Sequence, residues 1–315
     1  MDNKPAGSNS EQAMIIQLKN LSRKKWLAQA ASHREAVEQL TGGYLQAKSR
    51  QAQNPVMDFM FTYYKFRPSK LMQWTPGFGV MLEGATEADG FDDRFFSVTD
   101  EGAFLDLNRF PAKKQRGLRW ITELLRATAS RPPNFGCCGM HEWAMVYEAE
   151  DVRHGDFPLR LSPGEIRVLV DNSPVNCSHF DAFRFFTPSA RPKNSVQLTR
   201  DNMHDYEQPG CLHTNMDLYK WCYKLTPWVP SSLTLQAFRL ACEARTLDMQ
   251  AGPYDLRAIG YSPVCIETEA GRRIYKKRQA ELYSKSQPLR DALISVLTQL
   301  HDELYHAQHA PEAVL

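Results

Sequence analysis

The chain reads as a mainly α protein, one large helical domain with helical extensions at both ends. Three observations predict this. Apolar residues recur at spacings of three and four along most of the sequence, strict two-residue alternation is rare, and helix-start signals precede several apolar runs. The 315 residues contain 43% hydrophobic and 23% charged side chains, enough for a real core. The expected partition is a disordered terminus over 1–12, a helical domain over 13–308 and a flexible end over 309–315.

The elements follow in order. Ile15, Leu18, Leu21, Trp26 and Leu27 place a helix within 11–50, with a break at Gly42-Gly43. A second helix runs from Val56 to Phe66 and stops before Pro68. Residues 75–108 carry five glycines and an acidic cluster, a pattern of loop with short extended pieces. Pro111 opens a helix closed before Pro132-Pro133, and another helix, Met140–Tyr147, follows Gly139. Ser162-Pro163 with Glu165 is a helix start with proline in the first turn. Helices near Ser178, Thr214 and Ser231 come next, then a long one over 275–308 interrupted at Pro288.

Charge excludes little. Lys and Arg total 38 against 36 Asp and Glu, so any polyanion binding must rest on clusters rather than net charge. Such clusters stand at Lys19–Lys25, Arg109–Arg119 and Arg272–Arg278; solvated helix faces are the simpler reading of each. Seven cysteines without a C-x-x-C pair, and a polar start lacking an apolar leader, predict reduced thiols in a cytoplasmic protein. No apolar run reaches bilayer length, so no membrane association is expected. The phosphate-cradling loop, the dinucleotide glycine fingerprint and the nucleophile elbow are absent. His141-Glu142 begins the zinc-protease motif, but Met145 stands where the second histidine is required.

Three segments carry polar residues inside apolar sequence. In Met140–Tyr147, a helix apolar nearly all round takes Glu142 with it, which suits acid–base work or a structural pair with a buried arginine. In Ser178–Phe186, four phenylalanines demand burial and bring His179, Asp181 and Arg184; Asp181 is placed to pair with Arg184 or to cap a helix from Ser178. In Glu207–Trp221, a Pro-Gly turn leads to His213 and Asp217, with Thr214 and Asp217 spaced as a capping box. His179, Glu207, His213 and Asp217 form an alternative metal donor set.

The runs Met57–Tyr64, Gly139–Tyr147, Cys177–Pro188, Glu207–Lys220 and Pro253–Leu256 resemble bacterial proteins commonly labelled 3-methyladenine DNA glycosylase that lack the helix-hairpin-helix signature. The resemblance covers roughly residues 30–295. It implies a hydrolase of DNA repair that removes an alkylated or otherwise modified base from DNA or a nucleotide. No cofactor or tightly bound metal is expected, since no closely spaced ligand pair matches a known motif and carboxylates with aromatics suffice for that chemistry. Where the family often has histidine before the proline of Trp74–Gly77, this chain has Thr75, which is not counted as catalytic. The catalytic candidates are Glu142, Asp181, His141, His179 and His213. The substrate-binding candidates are Trp143, Tyr147 and Tyr219, whose ring faces suit a cationic base, with Arg184 and Lys220 for a phosphate. The rival readings are a metal-dependent oxidoreductase or hydrolase of a small molecule, and a non-enzymatic nucleic-acid-binding protein.

Overall fold

The computed structural model describes residues 18–50, 54–152 and 157–309. The stretch 1–12 and residues 310–315 lie outside them, whereas His309 still belongs to the last helix. The protein is mainly helical, with a small mixed sheet. In chain order the described elements are β1 (Lys19–Leu21), α1 (Arg23–Ser49), α2 (Pro55–Asp58) running into a π-helical turn (Phe59–Tyr63), and α3 (Pro68–Leu71). Strands β2 (Val80–Glu83), β3 (Phe96–Val98) and β4 (Gly102–Leu105) follow, then α4 (Ala112–Ala129), α5 (Met140–Ala144) and α6 (Pro163–Asp171). The remainder is α7 (Phe180–Phe183), α8 (Met203–Tyr206), α9 (Leu212–Lys224), α10 (Ser231–Ala251) and α11 (Glu269–His309). No described helix is long and apolar enough to cross a membrane.

The extended pieces expected over 75–108 assemble in the order β1-β2-β4-β3. β1 lies parallel to β2 with Lys19 opposite Val80, and β4 is antiparallel to both β2 and β3. The sheet flanks the helices and leaves the centre to α9, in which every residue from Leu212 to Cys222 is buried. A helix buried all round is the middle of a helical layer. α10 packs along α9 and α11, and α11 also covers α4. Ala237, Ala241 and Ala244 are fully buried, small residues that let the backbone of α10 approach its neighbours closely.

Several boundaries correct the sequence reading. α1 begins at Arg23, after a strand, and passes through Gly42-Gly43 without a break. Each glycine costs a helix about 1 kcal/mol, and burial of Val37, Thr41 and Tyr44 on either side outweighs it. α11 likewise runs through Pro288, because Leu282, Leu293, Leu297 and Leu300 bury one continuous face along it. Pro68 opens a short helix instead of only ending one. The Ser162–Glu165 capping box forms as read. Those at Ser178 and Thr214 do not: α7 is capped from His179 and α9 from Cys211, leaving Asp181 and Asp217 free for longer-range partners.

Candidate functional site

α5 stops after five residues and does not continue to Tyr147. It starts from Gly139, whose φ of +78° is left-handed, and a Cβ there would meet Ala251, Tyr275 and Ile266 at 3.3–3.4 Å. The turn therefore sets the rotation of α5 and the aim of His141 and Glu142. Gly139→Ala is expected to destabilise the fold by about 1–2 kcal/mol, from the left-handed backbone and the crowding together. Urea denaturation measures it; an unchanged midpoint would remove this role.

Glu142, Asp181 and His213, from three separate segments, line one cavity of about 550 Å³. Its walls are largely apolar: Phe59, Tyr63, Met145, Phe157, Phe185, Met249, Tyr254 and Leu256. Behind it runs a buried ionic chain. Arg245 on α10 donates to Glu142 Oε1 at 3.0 Å and to Asp248 Oδ2, and its guanidinium lies 4.4 Å from the Phe59 ring centre. Asp248 Oδ1 accepts from His141 Nε2 at 2.8 Å, while His141 Nδ1 meets Cys137 Sγ at 3.1 Å. Glu142 is thus both paired with a buried arginine and presented to the cavity.

A second chain runs beside the first. His179 Nδ1 lies 3.1 Å from Glu207 Oε1, with Nε2 3.8 Å from Asp217 Oδ2. Lys220 Nζ bridges Asp217 Oδ2 at 2.5 Å and Asp181 Oδ2 at 3.0 Å, and the Tyr64 hydroxyl donates to Asp217 Oδ1. Arg184 Nε sits 3.2 Å from Asp181 Oδ1, the predicted i,i+3 pair. His213 joins the two chains: its ring is 4.7 Å from that of His141 and 5.4 Å from that of His179, and its Nε2 is 3.8 Å from Asp248. It does not meet Asp217.

Burial sets the protonation pattern. Glu142 is pushed up from the ordinary carboxylate range by desolvation and by the nearby Asp248, against the pull of Arg245. Asp181 moves the other way. Burial opposes its charge, but Lys220, His179 and Arg184 outweigh that and hold its pKa below the usual value. Burial also opposes charging His141 and His179; facing Cys137 and Asp248, and facing Glu207 and Asp217 respectively, both end above the ordinary histidine value. His213, buried between those two and near Arg245, is held well below it and stays neutral.

Linkage then gives opposite slopes. A raised histidine contributes stability that is full below about pH 6.5 and lost as pH rises through its folded pKa; a depressed one loses stability as pH falls below about 6.5. Stability should therefore peak near neutrality and fall on both sides, by at most about 1.4 kcal/mol per pH unit for each group. His213→Gln should flatten the acid side alone. Denaturation curves between pH 5 and 9 decide it; an unchanged acid limb in the variant would refute the assignment.

Not every predicted residue reaches the cavity. Trp143 is fully buried, donates to Ala251 O at 2.9 Å and lies beneath Arg160. Tyr147 is buried, with its hydroxyl on Asp171. Tyr219 is fully buried among Phe66, Tyr64 and Phe238. All three are core aromatics, a correction to their reading as base-stacking residues. His141 and His179 stand behind the cavity wall instead of in it.

Arg184 and Lys220 line a second cleft, of about 750 Å³, which shares Asp181 with the first. There they join Lys113, Lys114, Arg116, Arg200 and Lys224 against one carboxylate. Lys114 and Lys224 are both pushed down from the usual lysine value by burial and by neighbouring lysines, the mark of cations lacking sufficient counter-charge. The middle basic cluster of the sequence supplies three of these seven. In the others, Arg23 pairs with Asp89 and Arg273 with Glu269.

The residues that sequence reasoning missed are Arg245 and Asp248. They sit three apart on α10, both buried, in a stretch that also carries Glu243, Thr246 and Gln250 and so reads as an ordinary mixed helix. The donor atoms of His141, Glu142, His213 and Asp248 lie within 4.8 Å of one another, as do those of His179, Asp181 and Asp217. This grouping replaces the single donor set read from sequence. In each, a protein cation already bridges the carboxylates, Arg245 in one and Lys220 in the other. Comparison with protein-family models, curated proteins and solved structures returned no match.

Proposed function

We propose that the protein hydrolyses the N-glycosidic bond of a modified base carried on a nucleotide unit, in DNA or as a free nucleotide. The observation that carries this reading is the junction at Asp181 of an aromatic-walled cavity and a cation-lined cleft. A nucleotide has the matching parts: a flat base for the one and a phosphate for the other, joined by the sugar whose bond is cleaved. Tyr63, Phe157, Phe185 and Tyr254 take over the stacking role that Trp143, Tyr147 and Tyr219 cannot fill, and their faces favour a cationic alkylated base.

The two carboxylates at the cavity are pushed in opposite directions, which supports giving them different work. Asp181, kept ionised, stabilises the developing oxocarbenium ion and takes a proton from the attacking water. Glu142, raised, gives its proton to the departing base where that base needs one. Arg184 and Lys220 hold the phosphate. His141, His179 and Asp248 act behind the wall, fixing Glu142 and Asp181 through Arg245 and Lys220.

The metal-dependent rival draws support from the two donor groups. Against it, a metal would have to displace Arg245 or Lys220 from carboxylates that each already neutralises. The deciding experiment measures free base released from alkylated DNA and from alkylated nucleotides, alongside elemental analysis of the purified protein. Base release with substoichiometric metal is expected. Absence of release from every alkylated substrate, or a stoichiometric metal lost in His213→Ala, would overturn the proposal.

A further inference from the structure

Cys137 joins His141 and Asp248 in an arrangement whose thiol the proposed hydrolysis does not use. Cys137 Sγ lies 3.1 Å from His141 Nδ1, and His141 Nε2 lies 2.8 Å from Asp248 Oδ1. The far oxygen of Asp248 is pinned by Arg245. This is the order of a nucleophile, its base and the carboxylate that orients the base. Asp248 and His141 are buried, whereas Cys137 is partly exposed and is not among the residues lining the cavity. The imidazole is held from both sides, and Cys137 is the one partly exposed residue of the three.

We propose that Cys137 is a nucleophilic thiolate site for small alkylating electrophiles, held ready by His141 and Asp248. The proton leaves sulfur for His141 Nδ1, making a thiolate–imidazolium pair that Asp248 stabilises from the other side. The sulfur then attacks an electrophilic carbon: one S–C bond forms, and the leaving group departs with the electrons of the bond it breaks. The other thiols differ. Burial pushes Cys211 to about 11 and Cys242 to about 12, and it also raises Cys265. None of these has an imidazole at its sulfur among the described hydrogen bonds.

The inference is independent of the glycosidic reading, since its readout is the modification of one sulfur. Iodoacetamide is the probe, converting the thiolate to its carbamidomethyl form with release of iodide. Native full-length protein is labelled in pulses between pH 5.5 and 8.5, quenched, digested and quantified by mass spectrometry. Cys265, partly exposed but without a base, is the internal reference. An ordinary thiol loses rate roughly tenfold per pH unit below its pKa, because only the thiolate reacts. Cys137 is expected to keep a nearly flat rate down to pH 6 and to exceed Cys265 there by at least about tenfold. In His141→Gln the Cys137 profile should steepen to that of Cys265. Should that variant not fold, the wild-type profile decides alone. A Cys137 rate that climbs tenfold per unit across the range, or that stays below that of Cys265 at pH 6, overturns the proposal.

Discussion

Asp181→Asn protein should bind an alkylated substrate as the wild type does and release its base about 10²–10⁴ times more slowly. The swap keeps the shape of the side chain but removes the charge that the transition state needs and the ground state does not. Its ion pairs support this separation: Lys220 stays anchored by Asp217 when Asp181 becomes neutral, so the phosphate side of the site survives. Glu142→Gln should follow with a smaller loss, and the loss should shrink for bases that leave without a proton. The pH–rate profile of the wild type should be broad. Its acid limb belongs to the depressed Asp181 and its alkaline limb to the raised Glu142. Full turnover in Asp181→Asn would remove the carboxylate from the mechanism.

Arg245→Met should cost about 3–5 kcal/mol of folding stability at pH 8, the largest effect expected of a single substitution here. The methionine fills much the same volume, so packing against Phe59 survives. What is lost is the single cation shared by two buried carboxylates, Glu142 and Asp248. The penalty should ease towards pH 5, because protonating Glu142 removes one of the stranded charges, and the pH dependence separates this cause from a cavity. Adding Glu142→Gln should restore part of the loss, a coupling visible in a double-mutant cycle. A loss below about 1 kcal/mol, independent of pH, would show the ionic chain to be dispensable.

The helical class and most element positions could be read from periodicity, because a 3.6-residue apolar repeat survives wherever one face is buried, as in α4 and α6. The three polar-within-apolar segments likewise bring Glu142, Asp181 and His213 to one cavity. What periodicity could not give was direction. α5 is a little over one turn, so nothing in its spacing told Glu142, which faces the cavity, from Trp143, which faces the core; Gly139 and its packing decide that. Arg245 and Asp248 were hidden because Glu243, Thr246 and Gln250 around them make that part of α10 read as a mixed, partly solvated helix. The basic cleft was legible only in pieces: residues 113–116 fall in one basic run and Arg184 and Lys220 were phosphate candidates, but Arg200 and Lys224 join them only in space.

The long last helix has a consequence for how the protein is lost. Gln279 of α11 holds the Gly210 carbonyl at the turn feeding α9, and Arg290 reaches Asn215 on α9 from a fully buried position. The middle of α11 is thus bolted to the helix that presents His213, Asp217 and Lys220. Backbone amides there should exchange with solvent deuterium only when the whole molecule opens, while the last turns near His309 fray freely. The site then has no private unfolding route: its lifetime is that of the fold, set by a segment that contributes no residue to either cavity.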